Sequence, residues 1–252
     1  MSLPKVSAYC ATYGRPHLLE EAIESFLKQD YKGEKELVIL NDYPEQTLIF
    51  EHPEVKVYNV SEKITPLGKK FNETVNRCTG DIVVVWEDDD IYLPNKLSVS
   101  VDKLIKSKKQ IFHTQQAYYE ESLGRIVKAI DHFKYDLLFH VNMAMYKSFF
   151  DSVGGYLETD NITLDVDSMS RFFTKASYKS EIVNQEDVFY IYRLNTTNSY
   201  HGTWLSGWNK EGSLSKASVE YIKQNDDKII KGEYILKPYW KYDYIKLIQN
   251  AH

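Results

Sequence analysis

Apolar positions along the chain alternate between short continuous runs and stripes at helical spacing. Residues 5–13 (KVSAYCATY) are small and β-prone and predict an opening strand. Pro16 suits the first turn of a following helix. Leu18, Leu19, Ala22, Ile23, Phe26 and Leu27 then recur as one buried stripe over 16–29. Strands are predicted over 36–42 (ELVILND) and 55–60 (VKVYNV). Residues 66–80 read as a helix with Leu67, Phe71, Val75 and Cys78 on one face and Gly80 as its stop. The run 81–86 (DIVVVW) is continuously apolar, as a central parallel strand is.

The remainder continues the mixture. Helices are predicted over 95–107, 146–156 and 164–176, and strands over 110–120, 125–130 and 188–194. Beyond residue 195 the pattern loosens, with a last helix at 215–230 and an aromatic tail at 234–244. Strands alternating with helices predict an α/β fold with a doubly wound, mainly parallel central sheet flanked by helices. Ligands of such sheets bind beyond the carboxyl ends of the strands. The polar groups there are Thr12 to Arg15, Asn41–Asp42 and Glu87 to Asp90, which the fold would bring to one rim.

Composition narrows the picture only a little. The 252 residues suffice for one large domain with a tail. The net charge of -5 supplies no basic footprint for a long duplex and argues against a nucleic-acid acceptor, although a local basic patch leaves one open. Cys10 and Cys78 lie in apolar contexts without a disulfide pattern and read as buried thiols. With no signal-like N-terminus and no apolar run of membrane-spanning length, the expectation is a soluble, cytoplasmic protein without a transmembrane segment.

The acidic strand end carries the chemistry. Glu87, Asp88, Asp89 and Asp90 directly follow the buried run. Adjacent carboxylates repel, and a hard divalent cation relieves that repulsion; Mg2+ or Mn2+ takes one or two carboxylates plus phosphate oxygens. The segment WEDDDIYLPNKL resembles the metal-binding DXD segment of family 2 glycosyltransferases. VSAYCATYGRP resembles that family's opening strand and nucleotide-binding turn. LVILNDYPEQT resembles its second strand, and PLGKKFNETVNRCTG a helix of G-x-K-x-N type leading into the acidic strand. The likeness runs from about residue 5 to 105 and thins toward 195.

The resemblance implies a GT-A fold and a metal-dependent, inverting transfer of a sugar from a nucleoside-diphosphate sugar, UDP or GDP, to a glycan or glycoconjugate acceptor. It implies residues 1–200 as the catalytic domain, with a nucleotide half (1–105) and an acceptor half (106–200), and residues 201–252 as a lid or helical extension. It places Thr12 and Tyr13 in the nucleoside pocket with Arg15 nearby, Asp42 on the base and Lys70 beside base or diphosphate. Asp88 faces the ribose, Asp89 is the chief metal ligand and Asp90 a second. Glu87, where Asp is more usual, supports the cluster. As a rim acid, Asp42 is expected to be removable without harm to the fold.

Inversion at an anomeric carbon needs a general base on the acceptor hydroxyl. The family places it at the start of a helix in the second half, which implies Asp167, with Asp165 as the alternative; both also read as ordinary helix-start acids. His201, in the closing segment YRLNTTNSYHGTW, is a further metal or phosphate ligand candidate. Two other readings stay open: a nucleotidyltransferase or sugar-phosphate pyrophosphorylase, for which ATYGRPHLL is poor in glycine and basic residues, and a non-catalytic nucleotide-sugar binding module.

Overall fold

The computed structural model describes residues 2–122, 125–130, 139–159, 164–193 and 230–250. The central sheet has six strands in the order β4-β2-β1-β5-β10-β7, formed by Val55–Asn59, Lys35–Asn41, Val6–Thr12, Ile82–Val85, Met143–Tyr146 and Ile111–His113. The first four are mutually parallel; β10 runs antiparallel to both β5 and β7. Side chains alternate across this sheet, as the period of two requires. Val6, Ala8 and Cys10 of β1 and Ile82 and Val84 of β5 enter one core, with α1 (Pro16–Leu27) and α3 (Lys96–Ser107). Tyr9, Val83 and Val85 enter the other, with α2 (Leu67–Val75), α4 (Lys147–Ser152) and α5 (Leu164–Ala176). Each fully buried Val, Leu, Ile or Phe contributes about 1.5–3 kcal/mol relative to exposure. The expected α/β architecture, doubly wound and mainly parallel, is the observed one.

A second sheet, in the order β6-β11-β8-β9, joins Ile91–Tyr92, Tyr190–Arg193, Ala117–Ser122 and Arg125–Ile130. The single strand predicted over 110–120 is therefore split between two sheets. The Asn142 amide spans the break, donating to the carbonyls of Thr114 and Gln116. The helix predicted over 66–80 ends at Val75. Residues 79–80 are committed elsewhere: Thr79 N–H donates to Glu36 and Gly80 N–H to Ser7 Oγ. Both cysteines are buried free thiols, as expected, and burial pushes the Cys78 thiol up to about 12.

The C-terminal residues return to the start of the chain. β12 (Gly232–Ile235) pairs in parallel with β3 (Gln46–Ile49), and α6 (Tyr244–Asn250) follows. Two buried acids on α1 hold this return. Glu20 accepts the Lys237 N–H (2.8 Å) and the Tyr234 hydroxyl (3.2 Å). Glu21 accepts the Lys241 N–H (3.0 Å) and the Tyr244 hydroxyl (2.9 Å) and pairs with Arg193 (2.9 Å). The helix predicted at 215–230 lies almost wholly outside the described residues. No helix among the described residues is long and apolar enough to cross a membrane.

Candidate active site

Three adjacent parallel strands, β2, β1 and β5, end on one rim and deliver the predicted residues together. From β1, Thr12 points its hydroxyl at Asp88 Oδ2 (2.6 Å). Gly14 adopts φ 70, which its lack of a Cβ permits, and the turn brings Arg15 back over the acids. Arg15 Nη2 lies 2.5 Å from Asp88 Oδ1 and Nη1 lies 3.0 Å from Asp89 Oδ2. Tyr13 packs edge-on against Tyr43 (4.9 Å), and the Lys63 ammonium sits 4.7 Å over its ring.

From β2, Asp42 is buried and engaged at both oxygens. Oδ1 pairs with Lys70 Nζ at 2.5 Å and Oδ2 accepts the Ile64 N–H at 2.9 Å. Lys70 also donates to the Thr12 carbonyl (2.7 Å), so one buried ammonium ties α2 to the ends of β1 and β2. Burial pushes its pKa down, opposed by Asp42. Its neighbour Lys69 is exposed.

The G-x-K-x-N pattern has a geometric basis here. A Cβ on Gly68 would lie 1.9 Å from the Leu157 carbonyl oxygen, so only glycine lets α2 approach this closely. Asn72 accepts the Tyr156 N–H (2.7 Å) and donates to the Tyr156 carbonyl (3.1 Å), fixing the chain before α5.

From β5, the four acids divide. Asp88 turns inward and is almost completely buried; burial pushes its carboxyl up to about 6, with Arg15 pulling down and Asp89 pushing up. Glu87, Asp89 and Asp90 form a group whose ligand oxygens all lie within 4.8 Å of one another. Asp90 also accepts the Tyr190 hydroxyl at 2.8 Å. Three converging hard oxygen donors fit Mg2+ or Mn2+. Glu87 thus stands within the cluster. Its Oε1 lies 3.1 Å from His140 Nδ1. His140 Nε2 lies 2.5 Å from the Tyr156 hydroxyl, which lies 2.5 Å from that of Tyr9. No sequence signal pointed to His140 or Tyr156.

Asp165 and Asp167 occupy the first turn of α5, both half-buried. That helix contacts the turn His140–Asn142, and Asp165 acts on Tyr156, adding to the rise that burial gives its phenol. His201 lies outside the described residues.

Residues 7–179 match the model of "Glycosyl transferase family 2". The chain belongs to this family. The enzyme is thus a glycosyltransferase, and its fold is of GT-A type. This family 2 enzyme is 22% identical over 250 residues to an uncharacterized glycosyltransferase of Methanocaldococcus jannaschii, covering 96% of this chain and 81% of that one. It is 30% identical over 118 residues to the GalNAc(5)-diNAcBac-PP-undecaprenol beta-1,3-glucosyltransferase of Campylobacter jejuni, covering 44% of this chain and 38% of that one. Among solved structures, S. aureus TarS 1-349 with UDP-GlcNAc superposes with a TM-score of 0.57 at 14% identity, covering 76% of this chain and 59% of TarS 1-349. The mannosyltransferase PcManGT of Pyrobaculum calidifontis, with GDP-Man and Mn2+, superposes with a TM-score of 0.55 at 14% identity, covering 89% and 75%.

Proposed function

We propose that this glycosyltransferase moves a sugar from a UDP- or GDP-sugar to a hydroxyl of a glycan or glycoconjugate, with inversion and in dependence on Mn2+ or Mg2+. The observation that carries this reading is the convergence of Glu87, Asp89 and Asp90 at the end of β5, beside Tyr13 and Asp42 at the neighbouring strand ends and Lys70 of α2. TarS with UDP-GlcNAc and PcManGT with GDP-Man and Mn2+ support both donor classes and the metal. The Campylobacter enzyme's lipid-linked glycan supports the acceptor class. Family membership turns the reading away from a nucleotidyltransferase or a binding module.

In this reading Thr12, Tyr13, Asp42 and Lys70 hold the nucleoside, with Tyr13 offering a ring face and Asp42 an anionic acceptor. Asp89 and Asp90, joined by Glu87, hold the cation, and His201 is a further candidate ligand. A bound cation would neutralise charge on the departing diphosphate. Asp88 serves the ribose side while bonded to Thr12 and Arg15. Asp167, or Asp165 in its place, takes the acceptor proton. Residues 201–252 act as an extension to a catalytic domain at 1–200, and the enzyme works in the cytoplasm on the donor pool.

The test pairs binding with turnover. UDP and GDP affinities are measured by calorimetry with Mn2+ and with chelator, on wild type and Asp89→Ala, alongside transfer from UDP- and GDP-sugars. Tighter nucleotide binding with metal, lost in Asp89→Ala, is expected. Equal affinity under chelator and metal overturns the metal assignment.

A further inference from the structure

The proposed metal group contains one residue that differs from its partners. Asp89 and Asp90 are buried, whereas the Glu87 side chain is 24% exposed and one methylene longer. Holding a glutamate in one rotamer costs on the order of 1.5–2 kcal/mol of side-chain entropy. Something must supply that restraint if Glu87 is to meet the other two carboxylates.

His140 is placed to do so. It follows Phe139 at the start of the turn His140–Asn142, is 3% exposed, and packs its ring against Phe71 (5.4 Å) and Tyr156 (5.4 Å). The hydrogen bond to Glu87 assigns the proton on Nδ1. A carboxylate oxygen only accepts, so Nδ1 donates to Glu87. Nε2 shares a hydrogen bond with the Tyr156 hydroxyl, which shares another with the Tyr9 hydroxyl. Burial raises both phenols, which keeps them protonated. The hydrogen-bonded line Tyr9–Tyr156–His140–Glu87 ends on the cluster, and bonds in such a line polarise one another.

His113 offers an internal contrast. It is also fully buried, yet its ring nitrogens are satisfied by Ser180 Oγ (2.7 Å) and the Phe139 carbonyl (2.8 Å), and burial depresses its pKa to about 4. A core histidine in this fold is thus satisfied without a carboxylate. His140 spends its outward nitrogen on a carboxylate of the metal group.

We propose that His140, anchored by Tyr156 and Tyr9, is a positioning residue that aims Glu87 into the divalent-cation site as its third carboxylate. The inference rests on the metal-dependent reading above. It makes the hydrogen-bonded line part of the metal site's second layer, whose loss typically costs 10–100-fold in metal affinity.

Mn2+ binding to the full chain is measured by electron paramagnetic resonance of free Mn2+, with thermal unfolding as a control for folding. His140→Phe removes the donor and should weaken Mn2+ binding by roughly 10–100-fold. His140→Asn places an amide nitrogen where Nδ1 stood and should stay within about 3-fold of wild type. His140→Gln reaches toward Tyr156 instead and should bind as weakly as His140→Phe. Rescue by Asn but not by Gln is the signature of positioning, because both leave a similar defect in packing.

Equal Mn2+ affinity in the Asn and Gln variants, or wild-type affinity in a folded His140→Phe, overturns the inference. Should His140→Phe fail to fold, the Asn and Gln pair decides alone. Asp89→Ala separates the two levels. If it binds Mn2+ like wild type, the metal reading falls and takes this inference with it. If it loses binding while the His140 variants do not, only the positioning role falls.

Discussion

Arg15 Nη1 lies 3.0 Å from Asp89 Oδ2, so the guanidinium neutralises the acid proposed as chief metal ligand. The same guanidinium holds Asp88 at 2.5 Å. Arg15→Ala leaves two buried carboxylates without their common counter-charge and should cost about 3–5 kcal/mol. Added Mn2+ supplies a replacement charge. The Mn2+-induced rise in Tm, read by scanning fluorimetry, should therefore be larger in Arg15→Ala than in wild type. An equal or smaller rise would show that Arg15 and the cation do not share Asp89.

Asp42 was expected to be dispensable for folding as a rim acid, and the structure corrects that. It is buried and paired with the buried ammonium of Lys70. Asp42→Ala should cost about 3–5 kcal/mol in urea unfolding, because it leaves Lys70 charged and unpaired. Asp42→Ala combined with Lys70→Met should recover much of that loss while nucleotide affinity stays low. Full stability of Asp42→Ala alone would refute the pairing.

Asp167→Asn preserves shape but removes a proton acceptor. Transfer should fall roughly 10²–10⁴-fold, with donor affinity within a few-fold of wild type. Asp165→Asn should be milder. The reverse ranking moves the base to Asp165, which already acts on Tyr156.

Glu36 predicts a pH dependence far from the site. Burial alone would raise its carboxyl, but hydrogen bonds from Lys56, Ser7 and Thr79 outweigh that and hold it at about 2, against an ordinary 4.5. The folded pKa is depressed, so this stabilisation is complete above about pH 4.5 and is lost as pH falls toward 2. Glu36→Gln should lower stability at neutral pH by about 1–3 kcal/mol. It should also flatten the stability profile between those two pH values, as urea titrations would show.

Much of the fold was legible because it rests on local periodicity. The apolar runs of β1, β2 and β5 and the stripes of α1 and α3 stand in the sequence as they stand in the structure. Pairing is what local pattern does not encode. β10 is four residues long and lies almost wholly before the helix predicted from residue 146, in a stretch with no predicted element, yet it fills the sheet between β5 and β7. β12 finds its partner β3 across almost the whole chain. The strand-end acids were legible as a cluster, since four adjacent carboxylates need a reason. That Asp88 bonds to Thr12 while Glu87, Asp89 and Asp90 group together is something no spacing rule ranks. His140 was invisible: a single histidine in LLFHVN gains meaning only when the fold sets it beside Glu87.

The acids Glu20 and Glu21 have a consequence for synthesis. Their partners Lys237 and Tyr244 lie 217 and 223 residues later, so α1 leaves the ribosome long before the groups that satisfy it exist. Until then its two carboxylates keep their water, and the helix face that carries them stays wet. The first helix of the chain is thus among the last to be sealed. Contacts that close over such separations slow folding, because the entropy of the intervening loop is lost before they form. Nascent chains stalled before residue 237 should expose α1 to protease, whereas released chains protect it.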